Sequence, residues 1–309
     1  MPVPDSFRQL AAEVNNWGRW GDDDEIGTIN LITPDVVKRG VACAKSGKTF
    51  SLALPLHEDG PQTGFVKGRV NPRRTTFMVN EPAFGDPTMF SSSDDVVTMG
   101  LQAATHWDSL VHASYDGRLY NGYDPSTITE TGGAAKAGID KITTIVSRGV
   151  LLDVARSKGV DRLEPGYSIT GGDLDDAAAL GKVTIEPGDV VLIRTGQIQI
   201  LHGGDKRGYG YPSPGPSIHS VKWMRDHDVA AVATDTYVFE AFPGDDQEFL
   251  LPVHLLHLVE MGLLQGQNWD LEALSADCAA DGAYEFLLEA SPEPFVGGLG
   301  SPVNPVAVK

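Results

Sequence analysis

The sharpest hydrophobic patterning lies in the second half of the chain. GVLLDVA (149–155), DVVLIRTGQ (189–197) and AAVATDTYV (230–238) are short apolar runs bounded by Gly, Pro and Asp turns, the pattern of buried strands. Alternating with them, GDLDDAAALG (172–181), PSIHSVKWMRDHD (216–228) and LPVHLLHLVEMG (251–262) place apolar residues at helical spacing. DLEALSADC reads as helix and YEFLLEA as strand, ahead of an extended Pro/Gly-rich tail at 291–309. In the first half, Thr33 before Pro34 opens a helix carrying Val36, Val37, Val41 and Ala44, which stops at Gly47. TFSLALPL (49–56) alternates as a strand, and Pro55 places it at an edge or strand end. From 58 to 93 the periodicity fades into Gly, Pro, Asn, Arg and Ser, a long excursion of loops and short strands of the kind that serves a site or an interface.

The order is mixed, with no regular βαβ repeat, no Gly-rich dinucleotide turn and no phosphate loop. With no linker and no internal repeat, residues 1–309 are expected to form one mixed α/β domain. Composition narrows the function. Forty-two acidic against 24 basic residues give a formal charge of -18, which repels phosphate backbones and anionic lipid surfaces, so nucleic acid and membranes are not expected partners. Cys43 and Cys278 belong to no metal-finger or redox pair and read as reduced core thiols. No secretion signal is visible at the start and no eighteen-residue apolar run occurs, which leads us to expect a cytoplasmic protein.

Candidate chemistry concentrates in Leu101–His112. As a strand beginning at 101, this segment would put Gln102, Ala104, His106 and Asp108 on one face and Leu101, Ala103, Thr105 and Trp107 on the other. An amide oxygen, an imidazole and a carboxylate on one face can converge on a divalent ion. His112, past a turn, could face the same ion as a base. The same spacing also suits a polar strand face that only hydrogen-bonds its neighbours. His254 and His257 lie three apart on one helix face, a placement that taken alone more often marks a packed helix than a ligand set. His57, His202, His219 and His227 fall in turns or on polar helix faces, where solvation explains them.

The segment resembles the signature H-x-G-T-H-x-D-x-P-x-H of the cyclase family, which includes bacterial kynurenine formamidase and isatin hydrolase; Thr105, His106, Asp108 and His112 match in register. NNWGRWGDDDEIGTINLITP near the start, HASYDGRLYNG at 112–122 and the stretch from Trp269 to Lys309 are similar to the longer bacterial members of that family. The resemblance implies a swivelling β/β/α domain, assembled as a homodimer or homotetramer, and a metal-dependent hydrolase that opens amides, lactams or lactones of small cyclic or aromatic substrates. By register it implies Gln102, His106 and Asp108 as metal ligands and His112 as the catalytic base. Local pattern adds His254 as a second catalytic position and Gln267 as a second-shell or second-metal position. Gln102 stands where the family has His, Ala104 where it has Gly, Leu110 where it has Pro, and Gln267 where it has Glu.

Two amides in place of an imidazole and a carboxylate lead us to expect one ion per chain, manganese rather than zinc, with zinc the alternative. Trp107, Phe84 and Tyr120, with Phe90 and Tyr115, flank these positions and are candidates for an apolar substrate wall, although for each taken singly core packing is the commoner fate. A ligand-binding or scaffold protein with an eroded metal site is the rival reading. A serine hydrolase lacks support, since no G-x-S-x-G elbow occurs.

Overall fold

The computed structural model describes residues 3–244 and 249–309, and its main element is a nine-stranded sheet. From one edge to the other the strands are Thr49–Ser51, Val306–Val308, Glu285–Glu289, Val146–Asp153, Val190–Arg194, Ala231–Thr234, Leu264–Gln267, His106–Asp108 and Gly300–Pro302. The four central strands, from Val146–Asp153 to Leu264–Gln267, run parallel, and antiparallel strands flank them on both sides. Helices including Gly171–Gly181 and Ile218–Asp226 lie in the crossovers between parallel neighbours. A βαβ run is therefore present after all; crossovers of unequal length and content hide it from a search for a regular repeat. The class is the expected mixed α/β.

Each central strand is buried on both faces, which explains why its sequence is an unbroken apolar run. Val150, Leu152, Val191, Ile193 and Val232 point to one core with Phe7, Leu174, Trp223 and Leu256. Their sequence neighbours Leu151, Leu192, Ala231 and Ala233 point to the other, with Trp107, Tyr120, Trp269 and Phe286. Helix Gly171–Gly181 is anchored by a capping box in which Thr170 and Asp173 satisfy each other's backbone N–H.

Several expected boundaries move for tertiary reasons. The helix opened by Thr33 and Pro34 ends at Val41 rather than at Gly47, because the N–H groups of Ser46 and Gly47 turn to the carbonyl of Lys309. Of TFSLALPL only Thr49–Ser51 is a strand, and it does occupy the sheet edge. The strand expected from 101 begins later: Val96–Thr98 end a hairpin, turns follow, and the sheet is entered only at His106. The excursion contains an antiparallel ribbon, Arg73–Pro82 with Ser91–Thr98, longer than the short strands expected. Its residues are mostly exposed, so no burial imposes a period of two on them. The tail from 291 joins this chain's own sheet through two strands. Among the described residues no helix is long and apolar enough to cross a membrane.

Candidate active site

Strand His106–Asp108 lies between Leu264–Gln267 and Gly300–Pro302, antiparallel to both. Register pairs His106 with Gln267 and Asp108 with Gln265, so these four side chains emerge on one face, opposite Trp107. Gln267 uses the adjacency directly: its Nε2 donates to Asp108 Oδ2 at 2.6 Å. Beyond Asp108 the chain turns, with Ser109 N–H donating to the Leu299 carbonyl and His112 N–H to that of Ser109. The turn brings His112 Nε2 to 3.8 Å from Asp108 Oδ1.

His254 reaches the cluster from another element, the short helix Pro252–His254. Glu240 holds the start of that helix, accepting from the backbone N–H of Val253 at 3.0 Å and of His254 at 2.8 Å, and pairing with His254 Nδ1 at 2.6 Å. A carboxylate at orphan N–H groups is electrostatically favoured, and here it also aims a ring. His254 Nε2 thereby stands 4.0 Å from Asp108 Oδ2 and 3.4 Å from Gln267 Nε2.

The centre of the cluster contains an unmet electrostatic demand. His106 Nδ1 lies 2.7 Å from the Ala104 carbonyl, which can only accept, so this nitrogen carries the proton. In a ring with a single proton the Nε2 lone pair then faces Asp108 Oδ1, 3.5 Å away, and both atoms are buried without a hydrogen-bond partner. Two acceptors facing each other in a dry site call for a cation between them, a proton at the least. Imidazole nitrogen and carboxylate oxygen suit a divalent ion of the manganese or zinc type. Among the described residues no group of three or more His, Cys, Asp or Glu side chains is arranged to hold a metal. Further donors would thus come from amides, water or substrate, and with that provision the residues present fit the ion.

Charge shapes the titrations. Burial opposes ionisation of Asp108, yet the imidazoles of His112, His106 and His254 around it hold the carboxyl below its ordinary value. For His112, Asp108 favours the proton, but burial together with the charges of His254, Arg69 and His106 brings the ring below an ordinary histidine. His254 moves the other way: burial opposes its proton, and the hydrogen bond and charge of Glu240 more than restore it.

The fold thus assembles His106, Asp108, His112, His254 and Gln267. Gln102 arrives by the turn before the strand and addresses the far edge of His112: its Nε2 is 3.4 Å from His112 Nδ1 and donates to the Leu299 carbonyl at 3.2 Å. Gly300 leaves room for it, since a Cβ there would stand 2.8 Å from that nitrogen. Two members of the expected aromatic wall need correction. Trp107 is fully buried edge-on against Trp269 with its N–H on the Ala290 carbonyl, and Tyr120 is buried with its hydroxyl on Asp24; neither offers a face to substrate. Phe84 and Phe90 sit exposed on the ribbon, and Tyr115 bonds Glu260. Sequence reading missed Glu240. Its position just past the carboxyl end of the parallel strand Ala231–Thr234, where α/β sheets place ligand-handling residues, was the available signal.

The cyclase family model matches residues 50–241. A solved structure described as a novel cyclase is 38% identical, covers 97% of this chain and 99% of its own, and superposes with a TM-score of 0.89. Isatin hydrolase A from Labrenzia aggregata is 18% identical over 88% of this chain and 98% of its own, with a TM-score of 0.61. A "predicted metal-dependent hydrolase" from Bacillus stearothermophilus is 16% identical over 84% of this chain and 97% of its own, with a TM-score of 0.53. These last two share the fold. No curated protein sequence matches the chain. With most of its length under the family model and a close structural relative along nearly all of it, this chain belongs to the cyclase family.

Proposed function

We propose that the protein is a metal-dependent hydrolase that opens an amide, lactam or lactone bond of a small cyclic or aromatic substrate. The observation that carries this reading is the pair of buried, partnerless acceptors, His106 Nε2 and Asp108 Oδ1, with the titratable rings of His112 and His254 beside them. His106 and Asp108 would hold one divalent ion, with Gln267 adjacent. When bound, such an ion acidifies water and polarises a carbonyl.

The chain's own groups supply the remaining work. His112, neutral near pH 7 because burial and neighbouring positive charge lower its pKa, accepts a proton at Nε2 and returns it to the leaving nitrogen or oxygen. Gln102 flanks the Nδ1 edge of the ring at 3.4 Å, on the side away from the cluster. His254, whose proton the hydrogen bond and charge of Glu240 favour, is placed to stabilise negative charge that develops on the carbonyl oxygen. With one imidazole and one carboxylate as the clear donors and oxygen atoms for the rest, manganese is the preferred ion and zinc the competitor.

Elemental analysis of protein purified without added metal, combined with a hydrolysis screen over N-formylkynurenine, isatin, dienelactones and cyclic imides, tests the proposal. About one ion per chain is expected, lost together with hydrolysis in Asp108→Asn. Full occupancy and full rate in that variant would remove the assignment, and two zinc ions per chain would overturn the single-ion reading.

A further inference from the structure

Gln265 is a polar residue that faces an apolar core. In the sheet it stands between Val232 and Asp108, fully buried, and Val232 shares its core with Phe239, Val253 and Leu256. A buried amide in such surroundings costs stability unless its hydrogen bonds are met, and here they are met on one side only. Gln265 Nε2 lies 3.0 Å from His257 Nδ1 and 3.4 Å from the Val253 carbonyl. The carbonyl can only accept, which places the amide nitrogen on that side and makes His257 Nδ1 the second acceptor. Gln265 Oε1 and His257 Nε2 are buried with no hydrogen-bond partner among the described residues. Replacing both members of such a pair with apolar groups of similar shape is near neutral or stabilising, so stability alone does not account for them.

What the amide nitrogen grips is the peptide that carries His254. The Val253 carbonyl and the His254 N–H are the two polar ends of one peptide plane. Gln265 donates to the carbonyl end, and Glu240 Oε1 accepts from the N–H end at 2.8 Å. Side chains of two other elements thereby hold the plane from opposite sides. With the plane held and His254 at a helical φ of -57°, the direction of its Cα–Cβ bond is set as well. The ring, whose Nδ1 meets Glu240 at 2.6 Å, then presents Nε2 to Asp108 Oδ2 at 4.0 Å. Gln265 is the residue directly opposite Asp108 in the sheet, so one side chain ties the helix of His254 to the strand of Asp108. Its bond to His257 grips the same helical segment again, one turn further on.

We propose that Gln265 is a positioning residue of the site: it holds the helix of His254 in register with Asp108, so that both side chains meet a bound acyl substrate from fixed places. A shift on the order of 1 Å at a reacting group can cost about a hundredfold in rate, which is reason enough to keep a polar pair that the core does not need. The inference rests on reading the cluster of His106, Asp108, His112 and His254 as the reacting centre.

Two variants of the full chain test it. Gln265→Met keeps length and bulk while removing the donor; should it fail to fold, the double variant Gln265→Met, His257→Leu replaces both polar partners with apolar ones and carries the same readouts. Crystal structures of wild type and variant should show His254 Nε2 displaced from Asp108 by on the order of 1 Å, whether or not a substrate is known. On the substrate that the hydrolysis screen identifies, kcat should fall by about tenfold to a hundredfold with KM within about twofold of wild type, since alignment is lost and binding is not. A residue that only packs would lower the unfolding midpoint and leave the His254 ring and kcat of the folded protein alone. An unmoved ring, or an undiminished kcat in an active protein, overturns the proposal, as does failure of both variants to fold, which would mark the pair as a packing requirement. A displaced ring in a protein whose wild type hydrolyses nothing keeps the alignment and removes the hydrolase reading. Hydrolysis with ring and kcat both unmoved in the variants does the reverse.

Discussion

Single side chains at this site differ in how much of their role is local. Thr105, His106, Asp108 and His112 were legible because a strand alternates its faces and because the four match a known signature in register. The same alternation misplaced Gln102, since residues 99–105 turn instead of extending, and its amide ends up on His112 rather than beside His106. Glu240 was not legible at all: nothing in a one-dimensional pattern says that it would meet a histidine from another element. For His112 the expectation is quantitative. His112→Ala should lower turnover by about a hundredfold to ten-thousandfold, the usual contribution of general acid-base catalysis, with metal content and far-ultraviolet circular dichroism unchanged. A variant that loses its fold instead would mark His112 as a packing residue.

At the scale of elements, the segment LPVHLLHLVEMG was legible as a helix but not as the helix it is. After Pro252–His254 it widens into a π-turn over Leu255–Met261, a form often found at functional sites. His254 reaches the cluster, while His257 is fully buried, with Nδ1 accepting from Gln265 at 3.0 Å and Nε2 without a partner. Burial, with the charge of His254, pushes the His257 pKa down to about 3. Above the unfolded value near 6.5 both states are neutral and the shift costs nothing. As pH falls below 6.5 the unfolded chain binds a proton that the fold refuses, and stability drops by about 1.4 kcal/mol per unit until the folded pKa is reached. Urea unfolding at pH 7.5 and pH 4.5 should therefore show a steeper acid loss for wild type than for His257→Gln. Equal losses would mean that the buried ring does not govern the acid limb.

For the whole molecule, the ribbon poses the main question. Phe77, Val79, Phe84, Phe90, Val96 and Val97 are each more than half exposed on a two-stranded element that packs little of itself against the sheet. An isolated ribbon of this kind is marginal in water, so we propose that a second copy covers it. Charge favours the same occupant: Lys67 and Arg73 stand at the ribbon's root in a chain of net -18, so one copy's root meets another's acidic surface. Light scattering should report a multiple of 33.0 kDa, and deletion of 75–96 should give a monomer. A wild-type monomer at micromolar concentration with full activity would dispose of the idea. The tail carries no such argument, because it completes this chain's own sheet.

The sequence by itself determined the strands and helices of the second half, the mixed α/β class, the family and the His106, Asp108 and His112 core of the candidate site. Those features rest on short-range periodicity or on a contiguous signature, and both survive reading in one dimension. Tertiary structure alone decided that four strands run parallel, that the tail supplies two strands, that Trp107 and Tyr120 turn into the core, and that Glu240 orients His254 while Gln102 flanks His112. The physical reason is common to all of them. Which partner a strand takes, and which charge a histidine meets, depends on segments far apart along the chain, such as Glu285–Glu289 with Val146–Asp153, and that choice is made by burial of the sheet as a whole.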